Sequence, residues 1–139
     1  MVTVAHGASE RSLLFDTSVI IPATANDESV VQRLADLPPE AMYVPAVAIG
    51  ELFVGAFSST QSEQALRAVE LFARSATVIP TGFCTARIYG QIKDETHRRG
   101  RPIPENDVWI AALAIEHDLT RITRDARLDH ITGLALDHW

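Results

Sequence analysis

The stretch ENDVWIAALAIEHD, Glu105–Asp118, decides how the chain is built. Between Asp107 and Glu116 lie eight consecutive apolar residues, Val108 to Ile115. Such a run is too long for an ordinary strand and lacks the polar stripe of a surface helix. It predicts a helix buried on most sides, with Pro104 in its first turn. Asp107 heads that helix, where a carboxylate complements the positive end of the helix dipole. On its own, that placement needs no functional explanation.

Short apolar runs stand on either side of such helical stretches. SLLF (12–15), MYV (42–44), ATVIP (76–80), LTRIT (119–123) and the weaker LAL (134–136) read as strands. Helices are expected at about 17–25, 27–36, 46–58, 61–74, 83–99 and 104–117. Strands alternating with helices imply parallel pairing, hence an α/β three-layer sandwich: a sheet of about five short strands flanked by helices. In open sheets of this kind, ligands bind beyond the carboxyl ends of the strands.

The 139 residues suit one domain, 1–139, with 1–11 as an N-terminal lead that need not be ordered. No apolar run approaches the ~20 residues that span a bilayer, and MVTVAHGASE has no signal-peptide pattern. Cys84 is the single cysteine, so no internal disulfide forms, which suits the reducing cytoplasm. The net charge of −6 argues against binding nucleic acid by bulk charge. Basic residues do cluster locally, however: Arg98, Arg99 and Arg101, then Arg121, Arg124 and Arg127.

Four acids collect where the sheet would place its ligands. Asp16 follows the first strand directly, although Asp, Thr17 or Ser18 could equally cap the next helix. In VPAVAIGELFVGAF, Glu51 is the only charge on an apolar helix, where an unpaired carboxylate is costly. Gly50 and Gly55 in the same helix suggest close approach of another backbone. Asp125 lies just past LTRIT, where it also suits a turn, with Asp129 as a competitor. Crowded carboxylates repel or bind a cation. Oxygen donors without cysteine or spaced histidines select Mg²⁺ or Mn²⁺. His6, His97, His117, His130 and His138 show no zinc spacing.

LFDTSVI, GELFVGA, NDVWIAA and TRD, in that order, closely resemble the PIN domain, and within it the VapC ribonuclease toxins. The likeness runs from LLFDTSVI to the terminal LALDHW, with Leu128 standing where many relatives carry Phe. The resemblance implies an acidic catalytic and metal site at Asp16, Glu51, Asp107 and Asp125, assisted by Thr17, Asn106 and Thr123. It also implies a homodimer, a cognate VapB-type antitoxin, and Mg²⁺- or Mn²⁺-dependent cleavage of structured RNA such as transfer or ribosomal RNA. Arg98, Arg99, Arg101, Arg124 and Arg127 could then hold flanking phosphates. The apolar SVIIPATA (18–25) is expected to line a groove for the antitoxin or the dimer mate. Two alternatives are a haloacid-dehalogenase-like phosphohydrolase, although Ser18 stands where that family has its second acid, and an inert PIN-like binding module.

Overall fold

The computed structural model describes residues 12–139, so the lead expected at 1–11 lies outside the described residues. Five parallel strands form one sheet: β1 (Leu13–Phe15), β2 (Met42–Pro45), β3 (Thr77–Ile79), β4 (Thr120–Thr123) and β5 (Leu136–His138). Six helices connect and cover them: α1 (Thr17–Thr24), α2 (Glu28–Ala35), α3 (Ala46–Phe57), α4 (Ser62–Arg74), α5 (Phe83–Arg98) and α6 (Glu105–Glu116). The strand order is 3-2-1-4-5, so the chain reverses its direction of travel across the sheet between β1 and β4. A crevice opens at the carboxyl edge of such a switch point. Register aligns its two walls. Phe15 pairs with Ile122, and the Asp16 amide donates to the Ile122 carbonyl at 3.2 Å.

The apolar stretch over Glu105–Asp118 is explained by what α6 touches. Ile110, Leu113 and Ala114 join the large cluster built on Leu14, Phe15, Val44 and Ile122. Val108, Ala111 and Ala112 join a second cluster with Ile92, Leu128 and Ile131. A helix packed on two sides has no room for a polar face. Pro104 is its N-cap, one residue before the helix, and provides no side-chain hydrogen bond. Leu128 is wholly buried, so the smaller side chain fills its place in the second cluster without leaving the core.

Most elements fall within two residues of the sequence reading. The last strand is the exception in register, forming at Leu136–His138 instead of 134–136. Gly133 adopts φ +83° in the preceding turn, and Leu134 is spent on the core before the strand begins. Gly50 and Gly55 also differ from expectation. Among the described residues, a Cβ at either would meet nothing within 4 Å, so no described backbone approaches them. No described helix is long and apolar enough to cross a membrane.

Because Leu113 is fully buried against the sheet, Leu113→Ala should lower the unfolding free energy by roughly 2–5 kcal/mol. Urea denaturation measures this, and a loss under about 1 kcal/mol would contradict the two-sided packing of α6.

Candidate active site

At the switch point lies a cleft of about 450 Å³ lined by Asp16, Thr17, Ser18, Glu51, Asn106, Asp107, Asp125 and Arg127, among others. Five acids line it: Glu105 pairs with Lys93 at 2.8 Å, and Asp16, Glu51, Asp107 and Asp125 arrive on four separate elements, the end of β1, α3, the first turn of α6, and the turn after β4. A larger hollow, about 610 Å³, is lined by Ser12, Tyr43, His117 and Asp118, and by none of those four acids. It lies at the amino ends of the strands, the rim where α/β sheets do not bind ligands.

The centre of the cleft wall is an ion-pair triad. Arg121, in the middle of β4, is completely buried. Its Nε donates to Asp16 Oδ2 at 3.0 Å, and its Nη2 lies 2.9 Å from the same oxygen. That Nη2 also donates to Asp107 Oδ1 at 2.8 Å, while Nη1 donates to the Asp107 carbonyl at 2.9 Å. Asp107 is therefore more than a dipole partner for its helix. Its carboxylate shares with Asp16 the pairing of a fully buried guanidinium.

Asp16 caps α1, its Oδ1 accepting from the Ser18 amide at 3.0 Å and from the Ser18 hydroxyl. Both carboxylate oxygens are thus already engaged. Ser18 Oγ in turn lies 3.3 Å from Thr123 Oγ1 and accepts from the Arg124 amide at 2.9 Å. Thr123 Oγ1 accepts from the Asp125 amide at 3.0 Å. This chain of short polar contacts ties the β1 edge to the β4 edge. Thr123 sits inside it, and Ser18, read from sequence only as a capping residue, forms its middle link. Thr17 and Asn106 line the cleft.

Asp125 faces Arg127, whose guanidinium grips both carboxylate oxygens while the Arg127 amide donates at 2.9 Å. These bonds pull the Asp125 carboxyl down to about 2. A carboxylate so acidic is a weak proton acceptor at neutral pH. Its contribution here is charge and oxygen donors. Arg127 is 67% exposed and lies 4.0 Å from Asp107 Oδ2, so solvent and an incoming anion can reach it.

Glu51 corrects the sequence argument. It is exposed at the rim, not embedded in an apolar surface, and among the described residues its carboxylate has no hydrogen bond or ion pair. Val47 and Leu52 turn inward instead, leaving the acid in water. The arginines also divide. Arg98 and Arg99 pair along their own helix region with Asp94 and Glu95, and Arg124 approaches Asp27 at 3.7 Å. Arg101 borders a neighbouring hollow with Arg127 and His130. Asp129 bonds His138 and does not line the cleft.

Oxygen donors alone suit a hard divalent cation. The acids are nevertheless not closed into a ready shell. Among the described residues, no three His, Cys, Asp or Glu side chains converge on one ion. Asp16 and Asp107 instead turn toward Arg121, and Asp125 toward Arg127. Among the described residues, the Glu51 carboxylate is without a partner, and Asp107 Oδ2 and the Asp125 oxygens are held from the solvent side by Arg127 alone.

A family model, the PIN domain, matches residues 13–134. The chain is 30% identical to ribonuclease VapC1 of Haemophilus influenzae strain R2866, covering 91% of this chain and 96% of that one. It is 29% identical to the tRNA(fMet)-specific endonuclease VapC of Shigella flexneri, over the same shares of both chains. Among solved structures it is similar to VapBC-1 from nontypeable H. influenzae, with TM-score 0.82 and 30% identity over 91% of this chain and 97% of that one. DNA-bound VapBC from Salmonella typhimurium gives TM-score 0.85 and 26% identity, covering 93% and 98%.

The Asp125 pKa sits below its unfolded value of about 3.9. Any stability the Arg127 pair adds is therefore complete above that value and lost as pH falls through about 2. Solvent screening of the exposed guanidinium keeps the contribution small. Arg127→Ala should return the Asp125 carboxyl toward the ordinary aspartate range while leaving the melting temperature nearly unchanged. Carboxyl-carbon NMR titration reads the first effect; a value still near 2 in the variant would place the cause elsewhere.

Proposed function

The chain belongs to the PIN-domain family, in its VapC branch, and on that footing we propose that it is a divalent-metal-dependent endoribonuclease, the toxin of a toxin–antitoxin pair. The observation that carries this reading is the cleft itself: four carboxylates from four elements at the sheet's switch point, with only oxygen donors among them. Structured RNA is the substrate class, in keeping with the tRNA specificity of the Shigella relative. Cutting transfer or ribosomal RNA in the cytoplasm would stop translation and growth.

Asp107, Glu51 and Asp125 would hold the ion, Mg²⁺ or Mn²⁺, with Asp16 behind them. When bound, the ion supplies charge stabilisation at the scissile phosphate and lowers the pKa of the attacking water. The chain's own residues do the positioning. Arg121 fixes Asp107 from below, and the Ser18–Thr123 link sets the spacing between the β1 and β4 edges. Arg127, released from Asp125, is placed to take a phosphate oxygen, and Arg101 lies beside it for the next one along the backbone. A haloacid-dehalogenase-type reaction is disfavoured. That chemistry needs a free nucleophilic aspartate, and both oxygens of Asp16 are engaged.

The partner is a cognate VapB-type antitoxin, as in the VapBC complexes to which the chain is similar. A shallow apolar groove of about 360 Å³ runs from the cleft between α1, α3 and α4, lined by Ile21, Leu52, Gly55 and Val69. Val19 and Ile20 of SVIIPATA are core residues, whereas Ile21 is 55% exposed on the groove wall. The segment thus serves both purposes, and Gly55 keeps the groove floor open. The toxin is also expected to pair as a homodimer.

Purified protein should cut transfer or ribosomal RNA with Mg²⁺ or Mn²⁺ and stop on EDTA addition; cutting that persists in EDTA would overturn metal dependence. Asp107→Asn keeps an oxygen for Arg121 and should fold, yet lose roughly 100-fold or more of the cleavage rate. Glu51→Gln should also lose cleavage while shifting stability by no more than about 0.5 kcal/mol, as an exposed, unpartnered side chain would. A marked fall in melting temperature for Glu51→Gln would make Glu51 a structural partner.

A further inference from the structure

Arg121 does what a bridging cation does. One nitrogen, Nη2, stands 2.9 Å from an Asp16 oxygen and 2.8 Å from an Asp107 oxygen. Its other two nitrogens are also committed, Nε to Asp16 and Nη1 to the Asp107 carbonyl. The side chain is 0% exposed, in the centre of a strand paired on both sides. It has neither room to swing nor a second set of partners to reach. Stripping such a group of its counter-charges is among the costliest changes a fold can suffer.

We propose that Arg121 is a fixed internal cation occupying the position between Asp16 and Asp107 that a second metal ion would otherwise bridge, so that the site takes a single divalent ion. Charge argues the same way. Five acids line the cleft; Glu105 is neutralised by Lys93 at 2.8 Å, and Arg121 and Arg127 already offset two of the other four. Two divalent ions together with Arg121 would give five positive charges against four carboxylates, even with Arg127 swung away. One ion with Arg121 gives three against four, leaving a site that still attracts its cation and tolerates a phosphate beside it. The free donors agree. Asp107 Oδ2 faces only the exposed Arg127, 4.0 Å away, and Glu51 lies at the exposed rim, whereas the Asp16 oxygens are filled from within. Arg121 is thus a positioning residue: it aims Asp107 Oδ1 inward and so presents Oδ2 to the cleft.

This inference rests on the metal-dependent reading above, and ion counting separates the two. Mn²⁺ binding to the full-length wild-type protein, measured by calorimetry and by electron paramagnetic resonance of free Mn²⁺, should saturate at one ion per chain. Two ions in the wild type would overturn the role given to Arg121 while leaving the metalloenzyme reading intact. No binding would remove the metalloenzyme reading and this inference with it. Arg121→Met, if circular dichroism shows it folded, should take up a second Mn²⁺; a folded variant still limited to one ion would overturn the proposal. If that variant does not fold, Arg121→Lys decides. A lysine ammonium keeps the charge without the fork, so it should hold the count at one while weakening Mn²⁺ affinity by about tenfold. A second ion bound by Arg121→Lys would overturn the proposal.

Discussion

A guanidinium with no exposure sits at the centre of this molecule, and the functional edge of the sheet is arranged to neutralise it. A buried charge is tolerable only when paired and hydrogen-bonded on all sides. Arg121 meets that condition by drawing Asp16 from the end of β1 and Asp107 from the start of α6. Three elements distant in sequence are locked together at the point where the sheet reverses. Two carboxylates that would repel one another are held side by side as a result. The same contacts that stabilise the fold prepare its chemistry.

Around this buried centre, the remaining charges are open to solvent. Glu51 stands at the exposed rim without a partner among the described residues, and Asp125 is held by an arginine that solvent can reach. The contrast between Arg121 and Arg127 is one of burial. Each engages two acids, but one guanidinium is sealed beneath the cleft and the other is 67% exposed above it. The first can only position. The second can exchange its carboxylate for a phosphate, which would free donor oxygens as substrate arrives. Next to this mouth lies the apolar groove, which shares Ile21 and Glu51 with the cleft, so the proposed antitoxin would cover both at once.

Much of this was legible in the amino-acid sequence because the signals were local. SLLF followed by Asp16, and LTRIT followed by Asp125, carry the strand-end placement of the acids in contiguous residues. The unbroken apolar run of α6 reads correctly as a helix packed on two sides. Glu51 does line the same cleft as Asp16, Asp107 and Asp125, but not because it is embedded in an apolar surface. Its helix is apolar, yet a helical face cannot be assigned to core or rim without knowing what packs against it. Gly50 and Gly55 misled in the same way, since their open faces look outward. Arg121 was missed as a site residue, although a signal was present. A charge in the middle of a strand that is covered on both faces is as expensive as an acid on an apolar helix. In the sequence it stands only as one of a local cluster of arginines with Arg124 and Arg127. Ser18 was hidden because its role depends on Thr123, which is 105 residues away.

The most direct test of the account is a crystal structure of the protein with Mn²⁺, phased to show manganese by its anomalous signal. The account predicts one manganese peak in the cleft against Asp107 Oδ2, with Arg121 still bonded to Asp16 and Asp107 on the far side. Two peaks flanking Asp107, or an Arg121 displaced from between the two aspartates, would contradict it.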